Sequence, residues 1–119
     1  MIDRTFDLED RLVEFAAQMI DVVDALPDTR AGRHLASQLV RSGTSPAPNY
    51  GEAQSAESRA DFIHKMKISL KELRETMVWL KVIRRKEMLS SSALMDRIDE
   101  CNQLISIFVK SIETAQSNR

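Results

Sequence analysis

Apolar residues recur every three or four positions along most of the chain, which is the period of an amphipathic helix and not of a strand. Leu8, Leu12, Phe15, Met19, Val22 or Val23 and Leu26 form a first stripe. It predicts a helix over about residues 7–26, closed by Pro27 and Asp28. A second stripe, Leu35, Leu39, Ala47 and Tyr50, predicts a helix over about 29–54, with Asp28 or Thr29 accepting from its first free amides. Pro46 and Pro48 fall inside it. Each removes a backbone hydrogen bond and crowds the preceding turn, at a cost of ~3 kcal/mol in a helix interior. Helical spacing resumes at Asn49–Gln54 after a gap too short for a chain reversal, so one kinked helix is expected. The hydroxyls of Ser42, Thr44 and Ser45 are placed to satisfy backbone groups freed at the kink.

Ser58-Arg59-Ala60-Asp61 has the form of a capping box, and Phe62, Met66, Leu70, Leu73, Met77 and Leu80 follow it as a heptad-like seam. A long third helix is predicted over about 59–87. Ser90-Ser91-Ser92 then caps a fourth helix over about 92–116, whose stripe is Leu94, Ile98, Cys101, Ile105, Phe108 and Ile112. Residues Gln116 to Arg119 are expected to fray. Four amphipathic helices with short connections predict an all-α, antiparallel up-down-up-down bundle with a proline-kinked second helix. The whole chain, 1–119, reads as one domain, long enough to be held by packing without a disulfide or metal staple.

The net charge is only −1, but its distribution is uneven. Residues 1–28 set eight acids against Arg4 and Arg11, a balance of −6, whereas residues 59–86 set nine bases against Asp61, Glu72 and Glu75, a balance of +6. In an up-down-up-down bundle the first and third helices are diagonal, so these faces cannot neutralise each other within one subunit. They can between subunits, as a heterologous contact that closes into a ring where the rotation permits. Solvation of both faces is the competing reading. Cys101, the single cysteine, lies in an apolar stripe and reads as a buried structural thiol, in keeping with a reducing cytoplasm. The charged N-terminus lacks the apolar core of a signal peptide, and no apolar run approaches the ~20 residues of a membrane span.

Catalytic chemistry finds little foothold. A di-iron bundle needs Glu-x-x-His on two helices; Asp61-Phe-Ile-His64 is the nearest approach, and His34 has no acid at the matching offset. There is no zinc-spaced Cys/His cluster, Gly-rich phosphate loop or nucleophile context. The expectation is a protein that is not an enzyme and uses no cofactor, metal or small-molecule substrate.

The polar candidates lie elsewhere. Asn49 and Glu52 follow the proline turn, and Asp61, Lys65, Ile68, Glu72, Glu75 and Trp79 form a second stripe on the third helix beside its apolar seam. Lys71 is four residues from Glu75 and can pair with it. Asn49 and Glu52 are expected to buttress the kink against the third helix, with Lys65, Glu72 and Glu75 completing a polar network. Trp79, on a separate stripe, is expected to be partly exposed and suited to an interface. Arg74, Lys81, Arg84, Arg85 and Lys86 gather at the end of the same helix and could meet phosphate. The helix macrodipole equally favours cations there.

The run QLVRSGTSPAPNYGEAQSAESRADFIHKMKISLKELRETMVWL resembles the four-helix bundle family known as 23S rRNA intervening-sequence proteins. The resemblance rests on an S-x-x-x-N-x-x-E turn, then S-x-x-D-F and K-E-x-x-E-T-x-x-W-L. These are Ser45, Asn49, Glu52, Ser58, Asp61, Phe62, Lys71, Glu72, Glu75, Thr76, Trp79 and Leu80 in this sequence. FDLEDRLVEFA and RAGRHLASQLVRSG match in character. The resemblance implies a homopentamer-like ring without enzymatic activity, and some relatives bind nucleic acid. This chain departs at Pro46 and Pro48, where relatives often carry Ile, Gly or Ala, and is acidic where nucleic-acid-binding relatives are strongly basic. The combined expectation is a homo-oligomeric scaffold, a ring of five, with RNA or DNA binding through the basic face of the third helix as the alternative.

Overall fold

The computed structural model describes residues 7–118. The chain forms α1 (Leu8–Ala25), α2 (Arg30–Thr44), α3 (Pro46–Gln54), α4 (Arg59–Arg85) and α5 (Ser91–Ser117). The second and third of these are two arms of one kinked helix, because Ser45 between them keeps helical torsions (φ −74°, ψ −36°) and Asn49 N–H still reaches the Ser45 carbonyl at 3.2 Å. Four helical rods therefore make an antiparallel up-down-up-down bundle, with no strand among the described residues. Each of α1 and α4 packs on the kinked helix and on α5, while α1 and α4 face one another diagonally without contact.

Helix starts follow the local chemistry. The Asp7 carboxylate accepts from Asp10 N–H at the head of α1, Thr29 Oγ1 accepts from Gly32 N–H at 3.0 Å, and Ser90 Oγ accepts from Ala93 N–H at 3.2 Å. Thr29 is thus the cap of α2, and Asp28 instead pairs with Arg33 at 2.8 Å. Half of the capping box is formed: Ser58 Oγ accepts from Asp61 N–H at 3.0 Å, but the Asp61 carboxylate accepts from Glu57 N–H at 3.3 Å, one residue before the cap, and not from Ser58 N–H. At its other end α4 stops at Arg85, because Glu87 takes a left-handed φ of 54° and lets Met88 N–H close on the Ile83 carbonyl at 3.1 Å.

The stripe of α1 is buried as expected, from Leu8 to Val22. Two stripes are rotated from their expected phase. On α4 the buried line is Met66, Ser69, Leu73, Thr76, Leu80 and Ile83, a strict alternation of three and four residues, with Met77 beside it; Phe62 and Leu70 are only partly buried. Hydropathy pointed to Phe62 and Leu70 because Ser69 and Thr76 look like surface residues until partners for their hydroxyls exist. On α5, Leu104 is fully buried and Ile105 flanks the core, so the expected order of those two is reversed. The end of α5 is also firmer than expected, remaining helical through Ser117; Arg119 lies outside the described residues.

Cys101 is fully buried, its thiol 3.4 Å from the Leu73 carbonyl, and burial with the nearby Glu100 charge pushes its pKa up to about 12. Gly43 permits a close approach of α2 to α1. A methyl group there would sit 2.5 Å from Met19 Cγ, well inside contact distance.

Candidate functional site

The polar residues singled out along the sequence divide into three groups, two of them where the kinked helix crosses α4 and one on the outward face of α4. At the kink, Pro46 and Pro48 carry no N–H, so the carbonyls of Ser42 and Thr44 lose their usual helical donors. Side chains bind the exposed backbone around this gap. Thr44 Oγ1 donates to the Val40 carbonyl at 2.6 Å, and Asn49 Nδ2 donates to the Ser45 carbonyl and to Ser45 Oγ at 3.0 and 2.9 Å. Asn49 therefore braces its own helix and does not reach α4, contrary to expectation; a side chain of its length is satisfied one turn back before it can span to a neighbour. The link from α4 is Ser69, whose buried hydroxyl donates to the Pro46 carbonyl at 3.2 Å.

One turn further along, the fully buried Thr76 hydroxyl lies 2.8 Å from the Glu72 carbonyl and 2.9 Å from Ser42 Oγ, so its one proton goes to the carbonyl and its oxygen accepts from Ser42. Ser69 and Thr76 thus dock α4 onto the kinked helix through hydroxyls in an otherwise apolar seam. Neither was singled out as a site residue. The available signal was their seven-residue spacing in phase with Met66, Leu73 and Leu80.

Above this seam lies an ionic layer. Arg41 of α2 places one guanidinium nitrogen 3.1 Å from Glu72 Oε1 and a second against Glu75 Oε2. The same Glu75 oxygen accepts from the indole N–H of Trp79 at 3.1 Å, and the Trp79 ring meets His34 edge-on at 6.4 Å between centroids. Glu72 and Glu75 are joined through Arg41, which sequence reasoning passed over, and Lys65 is not part of this layer. Trp79 is half-buried and engaged within its own subunit. The Glu72 side chain is 13% exposed but Arg41 is 51% exposed, so this is not a buried ion pair. Removing Glu72 therefore leaves a guanidinium that water reaches, at a smaller cost than leaving a buried charge unpaired.

Lys65 and Glu52 form a separate bridge from α4 to α3 at 2.7 Å. That hydrogen bond is the main reason the Lys65 pKa is raised, with the Glu52 charge adding to it. Lys71 is exposed and does not pair with Glu75, whose carboxylate is already held by Arg41 and Trp79. Asp61 is engaged at the head of α4, where its carboxylate accepts from Glu57 N–H.

The third group faces outward. Arg74, Lys81, Arg85 and Lys86 are exposed, and Arg84 is half-buried with one guanidinium nitrogen 3.6 Å from Met95 Sδ. No cluster of three metal-ligating side chains exists among the described residues. Nor is any helix among them long and apolar enough to cross a membrane. At the far end of the bundle, Arg97 Nε is buried without a hydrogen-bond partner, beside a small pocket of about 190 Å³ bordered by Asp21, Leu89 and Ser90.

Comparison with known proteins places this architecture. Among solved structures, a protein of unknown function from the S23 ribosomal protein family of Bacteroides thetaiotaomicron is 31% identical and superposes with a TM-score of 0.83. The match covers 89% of this chain and 98% of that one. No curated protein matches. The profile of the 23S rRNA-intervening sequence protein family matches residues 5–110, which take in the kink, the docking hydroxyls and the ionic layer. The chain is therefore a member of the 23S rRNA-intervening sequence protein family.

Proposed function

We propose that this chain is a non-catalytic interaction module that assembles into a homo-oligomeric ring of five in the cytoplasm. The observation that carries the reading is the diagonal placement of α1 and α4. The described part of α1 sets five acids against Arg11, and α4 sets eight bases against three acids. Two helices of opposite charge that do not touch within a subunit are free to meet between subunits. The polar groups near the kink support it too, since Thr44 and Asn49 are occupied in bracing their own helix and Ser69, Thr76, Glu72 and Glu75 in joining α4 to it. A buried, unpaired Cys101 is in keeping with a reducing compartment.

Light scattering across a range of salt tests this reading. A mass several times the 13.5 kDa chain, falling as salt rises, is expected. A single-chain mass at every salt would overturn it.

A second reading, nucleic-acid binding by the ring, is favoured by the exposed cations of α4. Five modest patches would gain affinity through multivalency. RNA affinity that falls steeply with salt and is lost in an Arg84→Ala/Arg85→Ala/Lys86→Ala variant would support it, and absent or salt-independent binding would remove it.

A further inference from the structure

The outward faces of the two charged helices are organised more specifically than their net charges require. On α4, Lys67, Lys71, Arg74, Val78, Lys81 and Arg85 alternate by four and three residues, so they form one stripe pointing away from the core, and all are exposed. At 1.5 Å per residue the stripe runs about 27 Å. None of its cations is in an ion pair among the described residues, and no acid interrupts it. Near its end, Val78 is 55% exposed and opens onto a groove of about 350 Å³ lined by Val78, Lys81, Val82, Arg85 and Lys86.

The outward stripe of α1 is the counterpart. Asp10, Val13, Ala17, Ile20 and Asp24 alternate by three and four residues and are all exposed, with Val13 at 52% and Ile20 at 45%. Glu14 and Asp21 border them on the same side. This stripe is apolar at its centre and acidic at its margins, runs about 21 Å, and so fits within the length of the α4 stripe. Exposed branched side chains framed by acids that make no ion pair among the described residues are poorly suited to water and well suited to an apolar groove framed by cations.

We propose that the Val13–Ala17–Ile20 stripe of α1 seats on the Val78–Val82 groove of α4 in a second copy of this chain. Asp21, Asp24 and Glu14 then face Lys81, Arg85 and the cations along the spine. The inference rests on the homo-oligomer reading and deepens it by naming the two surfaces. Because the surfaces differ, each copy offers one of each, and the contact is head-to-tail.

That asymmetry supplies the test. Ile20→Asp spoils only the α1 surface and Val78→Asp only the α4 surface, and both positions lie outside the core, so thermal unfolding should confirm that each variant folds. Each alone should scatter as a single 13.5 kDa chain. Mixed in equal amounts they retain one intact contact between them, from α1 of the Val78→Asp chain to α4 of the Ile20→Asp chain, and should form a pair of chains and nothing larger. Single variants that keep the wild-type mass, or a mixture that stays at one chain, would overturn the seating while leaving a wild-type oligomer standing. A wild type that is itself a single chain would overturn both. Loss of RNA binding in a Lys81→Glu/Arg85→Glu variant whose mass is unchanged would assign the spine to nucleic acid and overturn the seating.

Discussion

Helix α4 is held on two sides by different chemistry. Toward α5 it presents a seam in which Leu73, Leu80 and Ile83 meet a helix whose buried side chains are Leu94, Ile98, Cys101, Leu104, Phe108 and Ile112. Toward the kinked helix it presents Ser69 to the Pro46 carbonyl, Thr76 to Ser42, and Glu72 and Glu75 to Arg41. The apolar side is stabilised by removing side chains from water. It tolerates a small slide, because dispersion contacts are numerous and undirected. The polar side adds little net free energy per bond, yet a one-turn slip would leave buried hydroxyls unmatched, so it sets the register. The kink leaves the Ser42 and Thr44 carbonyls without helical donors, and beside it α4 carries small hydroxyl side chains, Ser69 reaching the Pro46 carbonyl and Thr76 reaching Ser42 Oγ.

The largest effect expected from disturbing this arrangement is on the apolar side. Leu80 is fully buried, and Leu80→Ala should lower stability by about 2–5 kcal/mol, read from the urea midpoint. A loss no larger than that of a surface change would mean the α4 core line is wrongly placed.

On the polar side, Thr76→Val keeps the shape but strands the Ser42 hydroxyl, at a cost of about 1–3 kcal/mol. Adding Ser42→Ala removes both partners, and the double variant should be more stable than Thr76→Val alone. Additive losses would show that the two hydroxyls do not act as a pair.

A smaller change is expected in the ionic layer. Glu72→Ala should cost about 1 kcal/mol, and the exposed Glu113→Ala should stay within about 0.5 kcal/mol of wild type. Equal melting temperatures for the two would remove the ionic layer from the register argument.

A pH-dependent effect tests the dryness of the α4–α5 seam through Cys101. The folded thiol titrates only near pH 12, whereas the unfolded thiol ionises around its ordinary 9.0, so the folded state holds its proton longer. The contribution is fully present below about pH 9 and is lost as pH rises toward about 12, because ionisation there favours the unfolded chain. Melting temperature should fall more steeply over that window in the wild type than in Cys101→Ala. Identical slopes would indicate that water reaches the thiol.

The prolines, the Ser58 cap and the α1 stripe were all legible because each is a local matter, decided by torsions, by periodicity and by hydrogen bonds within a turn. Thr29 and Asp28 were equally good caps by residue type, and only the path of the chain chose between them. Ser69 and Thr76 were hidden for a related reason: a hydroxyl counts as polar until a partner across the seam satisfies it. Arg41 was hidden because a long cation on an exposed helix face has many reachable acids, and none is marked in the sequence.

By itself, then, the sequence determined that this chain is helical, that four rods pack as a bundle, that the second rod bends at Pro46 and Pro48, and that opposite charges fall on the first and third rods. Periodicity, proline stereochemistry and charge are properties of short stretches of chain, so they can be read without coordinates. The tertiary structure alone decided which face of α4 turns inward, that Asn49 braces its own helix while Ser69 and Thr76 make the crossing, and that Arg41 gathers Glu72, Glu75 and Trp79. Those outcomes depend on which distant groups arrive within about 3 Å of each other, a distance at which hydrogen bonds form and beyond which they weaken steeply.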